Sequence, residues 1–197
     1  MKDVLVVSLA DLHAEMGEER LRRLLAGFSC AGLNDEVENY LKEIALRHTL
    51  RDTSVTHLVL SADMKSCLAY YTLAIKPFSI SALRITARQK KEMYDVAKLR
   101  VDSSNKEYSI AAYLIAQIGR NFAIEDGGIT GDEILNLAFE HIRSIKKQVG
   151  GKVVFVEYEK GKPKLLEFYK RNLFEEFKMP SDDDRGGRLG QLFLFLK

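Results

Sequence analysis

The run Ile110-Ala111-Ala112-Tyr113-Leu114-Ile115-Ala116-Gln117-Ile118-Gly119 and the loop that follows it, Gly127-Gly128-Ile129-Thr130-Gly131, decide how this chain folds. The run is apolar without alternation, so it reads as a strand over 108–119, buried on both faces and central in a sheet. The loop opens straight into an amphipathic helix over 131–149, with Ile134, Leu135, Leu137, Ala138, Ile142 and Ile145 towards the core. A helix N-terminus beside a strand end offers unpaired N–H groups where the helix dipole is positive, an arrangement suited to a pyrophosphate.

Downstream, Gly150-Gly151 ends the helix and 152–159 reads as another strand. Gly161 and Pro163 turn the chain into a short helix over 163–172. Terminal strands are expected over 174–178 and 189–196, joined by the loop 182–187. Upstream, 1–27 reads as a strand and a helix. Asn34 is placed to cap a helix over 35–50, whose apolar face carries Val37, Tyr40, Leu41, Ile44 and Ala45. Residues 57–61 and 66–75 read as the two arms of a hairpin turning at Asp63-Met64-Lys65, with Pro77 ending the second arm or marking an edge. The segment 84–106 is basic (Arg84, Arg88, Lys90, Lys91, Lys98, Arg100, Lys106) and holds a short helix and a turn at Ser103-Ser104-Asn105.

The 197 residues suffice for one domain, 1–197, with its own core, in which 1–27 forms an N-terminal strand-helix extension. A formal net charge of +2 is too small to imply nucleic acid by itself. Cys30 and Cys67 have no metal-ligand spacing and read as reduced, buried thiols; the N-terminal run Val4-Leu5-Val6-Val7 does not read as a signal peptide, and a reducing cytoplasm is the expected location. No apolar run approaches the roughly 20 residues that span a bilayer. His13, His48, His57 and His141 are scattered, so no metal is expected, and serine and histidine form no recognisable triad.

The order of elements, with Gln117-Ile118-Gly119, the Gly131 loop and Phe168-Tyr169-Lys170-Arg171-Asn172-Leu173-Phe174, resembles the GNAT (GCN5-related N-acetyltransferase) superfamily from about Phe28 onward, and within it the toxin-like bacterial and phage branch. The resemblance implies an α/β fold with a mixed, mostly antiparallel central sheet flanked by helices and a splayed strand pair that takes acyl-CoA. It implies that the strand end at Gln117, Ile118 and Arg120 meets the pantetheine arm through N–H groups. The pyrophosphate then lies on the loop and helix start: Gly128, Ile129, Thr130, Gly131, Asp132 and Glu133. The family's loop pattern is arginine or glutamine, two residues, glycine, one residue, then glycine or alanine. Here Asp126 and Ile129 hold the first and fourth positions, and only Gly131 matches.

By the same resemblance Tyr169 is the general acid that protonates the departing CoA thiolate. The alternative is a tyrosine that only packs beside Phe168. Leu173 stands where the family has glycine before Phe174, and Lys162 where it often has asparagine. No general base stands out among Glu107, Glu157 and Glu159. The activity implied is transfer of an acetyl group from acetyl-CoA to a primary amine by direct attack in a ternary complex. One alternative is toxin-like acetylation of an aminoacyl-tRNA held by the basic 84–106 stretch and neutralised by an antitoxin partner. The other is a non-catalytic acyl-CoA-binding module. The C-terminal strands are compatible with a homodimer.

Overall fold

The computed structural model describes residues 3–82, 84–96, 107–124, 128–176 and 189–197. Six strands lie in sequence order across one sheet: β1 (Val4–Ser8), β2 (Val55–Ser61), β3 (Cys67–Ser81), β4 (Glu107–Arg120), β5 (Val153–Glu159) and β6 (Leu189–Phe195). The β1–β2, β2–β3 and β5–β6 pairings are antiparallel. The α/β class and helix-flanked sheet are those the sequence predicts. The chain divides into two compact units, Met1–Ala74 with Ile115–Arg143, and Ile75–Leu114 with Ser144–Lys197.

In the first unit, residues 1–27 form β1, α1 (Leu9–Met16) and α2 (Glu18–Ala26). Ser8 Oγ accepts the N–H groups of Ala10 and Asp11 and so starts α1, and Gly17 at φ 78° separates the two helices. Leu9, Leu12, Leu21 and Leu25 enter a core with Phe28, Leu41, Ala45, Leu58, Leu60 and Tyr70. The predicted 35–50 helix is present as α3 (Asp35–Asn39), a π segment (Tyr40–Ile44) and α4 (Ala45–Leu50), with Asn34 Oδ1 accepting the Val37 N–H as its cap. The π segment is a departure from the simple period. It sits where Tyr40 stacks on Tyr70, ring centroids 6.4 Å apart.

β3 is longer than its sequence suggests and passes through Pro77 to Ser81. Proline's fixed φ is compatible with extended chain, and Ile75, Lys76 and Pro77 are exposed, so the missing N–H costs little there. Beyond it the alternation of buried Phe78, exposed Ser79 and buried Ile80 carries the strand on.

The second unit has its own aromatic core. Phe78 stacks on Phe155 at 4.8 Å and lies 5.9 Å from Phe193, within the β5–β6 ladder in which Phe155 faces Phe193. α5 (Ala87–Val96) is the short helix expected in the basic stretch. α6 (Gly131–Val149), which belongs to the first unit up to Arg143, has the predicted bounds. Ile134, Leu135, Ala138 and Ile142 are buried, Phe139 joins them, and Leu137 and Ile145 are only half-buried. α6 ends at Gly150 and Gly151, whose φ values of 77° and 98° suit glycine, and the Tyr113 hydroxyl donates to the Gly150 carbonyl. α7 (Pro163–Arg171) begins with proline at its first turn. In place of a strand over 174–178 there is a single bridge from Glu175 to Phe193; 177–178 and the 182–187 loop lie outside the described residues.

Candidate functional site

In the first unit the end of β4 is held from two sides. Gly119 is buried, and a Cβ there would stand 2.8 Å from Tyr70 Cδ1 and 2.9 Å from Val37 Cγ1, so no side chain fits. Tyr70 is fixed in turn by donating its hydroxyl to the Val37 carbonyl at 2.6 Å. The next residue but one, Asn121, is 1% exposed and uses every hydrogen-bonding group of its amide. Its Oδ1 accepts from Ser29 N at 3.1 Å and Ala123 N at 3.0 Å, and its Nδ2 donates to Gly27 O at 3.0 Å and Cys67 O at 2.8 Å. Phe122 N donates to Ser29 O at 2.8 Å. The Gly27–Cys30 turn is thereby tied to the strand end. Glu38 holds its other side, accepting from Ser29 Oγ and Cys30 N while pairing with Lys42 at 2.7 Å. The Cys30 thiol is pushed up to about 11, mainly by burial and then by Glu38, and is not a nucleophile.

Gln117, Ile118 and Arg120 are half-buried along this strand end. The Arg120 guanidinium lies over the Phe122 ring, 5.0 Å from its centroid. Gly128 is also near it: a Cβ there would stand 3.1 Å from Nη2. Arg120 Nε is buried and, among the described residues, has no hydrogen-bond partner.

The start of α6 is a capping box. Thr130 donates its N–H and its hydroxyl to Glu133 Oε2, each at 2.8 Å, and Glu133 N donates back to Thr130 Oγ1 at 3.2 Å. The Thr130 N–H bond, with the Thr130 hydroxyl, lowers the Glu133 carboxyl below its ordinary value, and Arg120 adds to the effect. Ile129 and Ile134, flanking the box, are both buried. Two of the N–H groups read from sequence as phosphate donors, those of Thr130 and Glu133, are thus occupied within the chain, and a carboxylate already sits at the positive end of the helix. Asp126 and Gly127 lie outside the described residues.

In the second unit Tyr169 lies in α7 with its ring 7% exposed, 5.1 Å from Phe168 and 5.5 Å from Phe174. Burial pushes its phenol up to about 12, so it stays protonated at neutral pH. Among the described residues its hydroxyl has no hydrogen-bond partner. The helix closes with Phe174 N donating to Tyr169 O at 3.1 Å and Leu173 N to Lys170 O at 3.0 Å. Leu173 takes φ 69°, the left-handed conformation that glycine favours, at the position where the resemblance expects glycine. Lys162 pairs with Glu159 at 2.5 Å, and Glu157 accepts from Gln191 at 2.9 Å. Both candidate bases are therefore engaged on the surface, and the side chain of Glu107 lies outside the described residues.

In the basic stretch Arg88 makes a two-oxygen contact with Glu175 at 2.6 Å and also pairs with Glu92 at 2.9 Å, while Lys98, Arg100 and Lys106 lie outside the described residues. Among the described residues, no group of three His, Cys, Asp or Glu side chains could hold a metal, and no helix is long and apolar enough to cross a membrane.

The fold is similar to that of solved bacterial toxin structures, at low sequence identity. AtaT complexed with acetyl-methionyl-tRNAfMet superposes with a TM-score of 0.65 over 98% of this chain and 95% of its own, at 15% identity. A tyrosine-to-phenylalanine mutant of KacT gives 0.68 over 98% and 95%, at 15% identity. An AtaT mutant of the same kind, bound to the C-terminus of the antitoxin AtaR and acetyl-CoA, gives 0.64 over 98% and 94%, at 16% identity. Neither a protein-family model nor a curated protein sequence matches the chain.

Asn121 and the Thr130–Glu133 box are absent from the sequence reading. For Asn121 no local signal exists, because four of its partners come from residues 27–29 and 67–68. For the box the signal was present as threonine, two residues, then glutamate.

Proposed function

We propose that this chain is an acetyl-CoA-dependent N-acetyltransferase, one domain over 1–197, acting on a primary amine, with the amino group of an aminoacyl-tRNA as its favoured acceptor. The supporting observation is Tyr169: a phenol kept protonated by burial, with no partner for its hydroxyl among the described residues, in a fold shared with acetyltransferase toxins. The neighbours support the donor and acceptor classes, since AtaT is solved with acetyl-CoA and with acetyl-methionyl-tRNAfMet.

The strand end at Gln117, Ile118 and Arg120 and the loop from Gly128 to Glu133 would hold the donor. The buried, unpaired Arg120 Nε, the small Gly128 and Gly131, and the α6 N-terminus suit its phosphates. The amine nitrogen attacks the thioester carbon, the C–N bond forms, and the C–S bond breaks as the Tyr169 hydroxyl gives its proton to the sulfur. The proton lost from the amine returns through solvent to the phenolate. With Glu157 and Glu159 tied to Gln191 and Lys162, water is the proposed acceptor of the amine proton.

A cytoplasmic setting, an antitoxin partner of the kind seen with AtaT, and a homodimer formed along the edge strand β6 complete this reading. Mass spectrometry of charged tRNAs incubated with acetyl-CoA tests it. Wild type is expected to add acetyl to the aminoacyl group, and Tyr169→Phe to do so about 10²–10⁴-fold more slowly, the range for loss of a general acid. No transfer to charged tRNAs or to a broad panel of amines overturns it and favours a binding module.

A further inference from the structure

We infer that the Arg120 side chain, besides its backbone, is the phosphate-reading group of this site, and that Gly128 is small so that the guanidinium can lie there. The inference rests on the acyl-CoA reading above and concerns the diphosphate of the donor.

Three observations converge. The guanidinium lies over the Phe122 ring, 5.0 Å from its centroid, and close to Gly128, where even a methyl group would stand 3.1 Å from Nη2. A planar cation braced on an aromatic face loses little freedom when it binds a second group. Among the described residues its Nε is buried with no acceptor. Buried donors without partners are rare in folded chains, and each one calls for a physical reason. Finally, among the described residues Arg120 forms no ion pair. The nearby carboxylate of Glu133 is spent on Thr130, so the positive charge is not cancelled by a direct contact.

The position fits a phosphate better than a carboxylate-bearing partner. Arg120 ends β4, and Gly128 stands two residues before Thr130, the cap of α6, so the guanidinium and the positive helix end serve one loop. The arginine fork matches phosphate oxygens in pairs. The loop position where the resemblance expects a cation or an amide is Asp126, so the charge the motif lacks is supplied from the strand instead.

The test compares wild type, Arg120→Lys, Arg120→Ala and Gly128→Val in titrations with acetyl-CoA, acetyl-3′-dephospho-CoA and S-acetyl-pantetheine, the last followed by NMR. Arg120→Ala is expected to weaken acetyl-CoA and its dephospho form by the same factor, about 10- to 100-fold for loss of a charged hydrogen bond, and to leave S-acetyl-pantetheine unchanged. Arg120→Lys should recover only part of the loss, because an ammonium is a point charge. Gly128→Val, by displacing the guanidinium, should imitate Arg120→Ala and serves as the independent variant.

Equal affinity of wild type and both Arg120 variants for acetyl-CoA overturns the inference. So does a loss that extends equally to S-acetyl-pantetheine, which marks a merely structural residue. A loss for acetyl-CoA but not for its dephospho form places the 3′-phosphate, not the diphosphate, at Arg120 and overturns the assignment. Failure of wild type to bind any of the three is a different result: it removes the acyl-CoA reading itself.

Discussion

The Glu133 carboxylate accepts both the N–H and the hydroxyl of Thr130, each at 2.8 Å, at the N-terminus of the helix proposed to face the donor's phosphates. The chain's own anion therefore competes with the ligand for the same positive end. Glu133→Gln keeps an acceptor for Thr130 but removes the charge. It should bind acetyl-CoA about two- to fivefold more tightly than wild type, the size of one charge at a helix end. Glu133→Ala should in addition lose about 1 kcal/mol of stability with the cap. Calorimetric titration and thermal melts read the two effects separately, and weaker binding by Glu133→Gln would contradict the competition.

Leu173 stores conformational strain. At φ 69° and 73% exposed it gains little burial in return for a left-handed backbone. Leu173→Gly should raise stability by about 1 kcal/mol, since a side chain in that region costs about 1–2 kcal/mol. An unchanged or lower unfolding midpoint in urea would show that the helix end does not carry this strain.

Asn121 joins the strand end to the Gly27–Cys30 turn through four side-chain hydrogen bonds. Asn121→Ala leaves buried partners unsatisfied and should cost about 2–3 kcal/mol, within the range for exposed desolvation penalties at lost buried bonds. Asn121→Asp keeps the acceptor but loses both donors and should not restore stability. Equilibrium denaturation of the two variants decides, and full stability of either would refute the account.

Acid should destabilise the first unit through His57. Its ring is 7% exposed, 4.1 Å from His141 and 5.2 Å from Tyr71, and burial, followed by the His141 charge, lowers it from 6.5 to about 4. His141 is also lowered by burial and contacts the Tyr71 hydroxyl at 3.2 Å, while Glu140 acts on Tyr71 from the same helix. The unfolded chain takes up the proton more readily than the folded one. Stability is thus fully present above about 6.5 and is lost as pH falls towards 4, by about 3 kcal/mol from this group. His57→Phe, which keeps a ring and cannot titrate, should flatten the stability profile between pH 7 and 4.5. A profile identical to wild type would place the acid sensitivity elsewhere.

How much of this was legible follows from the range of the interactions. α6 has its predicted bounds because its period and its flanking glycines are local. The Asn34 cap was legible for the same reason, whereas β4 departs from the expected burial on both faces: it is continuously buried only over 112–115, with Ser109 and Ala111 exposed and 116–118 half-buried. The run through Pro77, the π segment beside Tyr70 and the Asn121 bonds depend on residues far away in sequence, and no spacing rule reports them. In the candidate site the loop could be read, but the chemistry within it could not. That Arg120 lies on Gly128, and that Glu133 takes two of Thr130's donors, depends on how β4 and α6 meet the loop in three dimensions.

The most direct measurement is calorimetric titration of acetyl-CoA into wild type and Gly131→Trp. Gly131 is the first residue of α6, where bulk would cover the proposed phosphate seat. The account predicts micromolar binding by wild type that is lost in the variant while the fold persists. No binding of acetyl-CoA, other acyl-CoAs or CoA by wild type, or equal binding by Gly131→Trp, would contradict it.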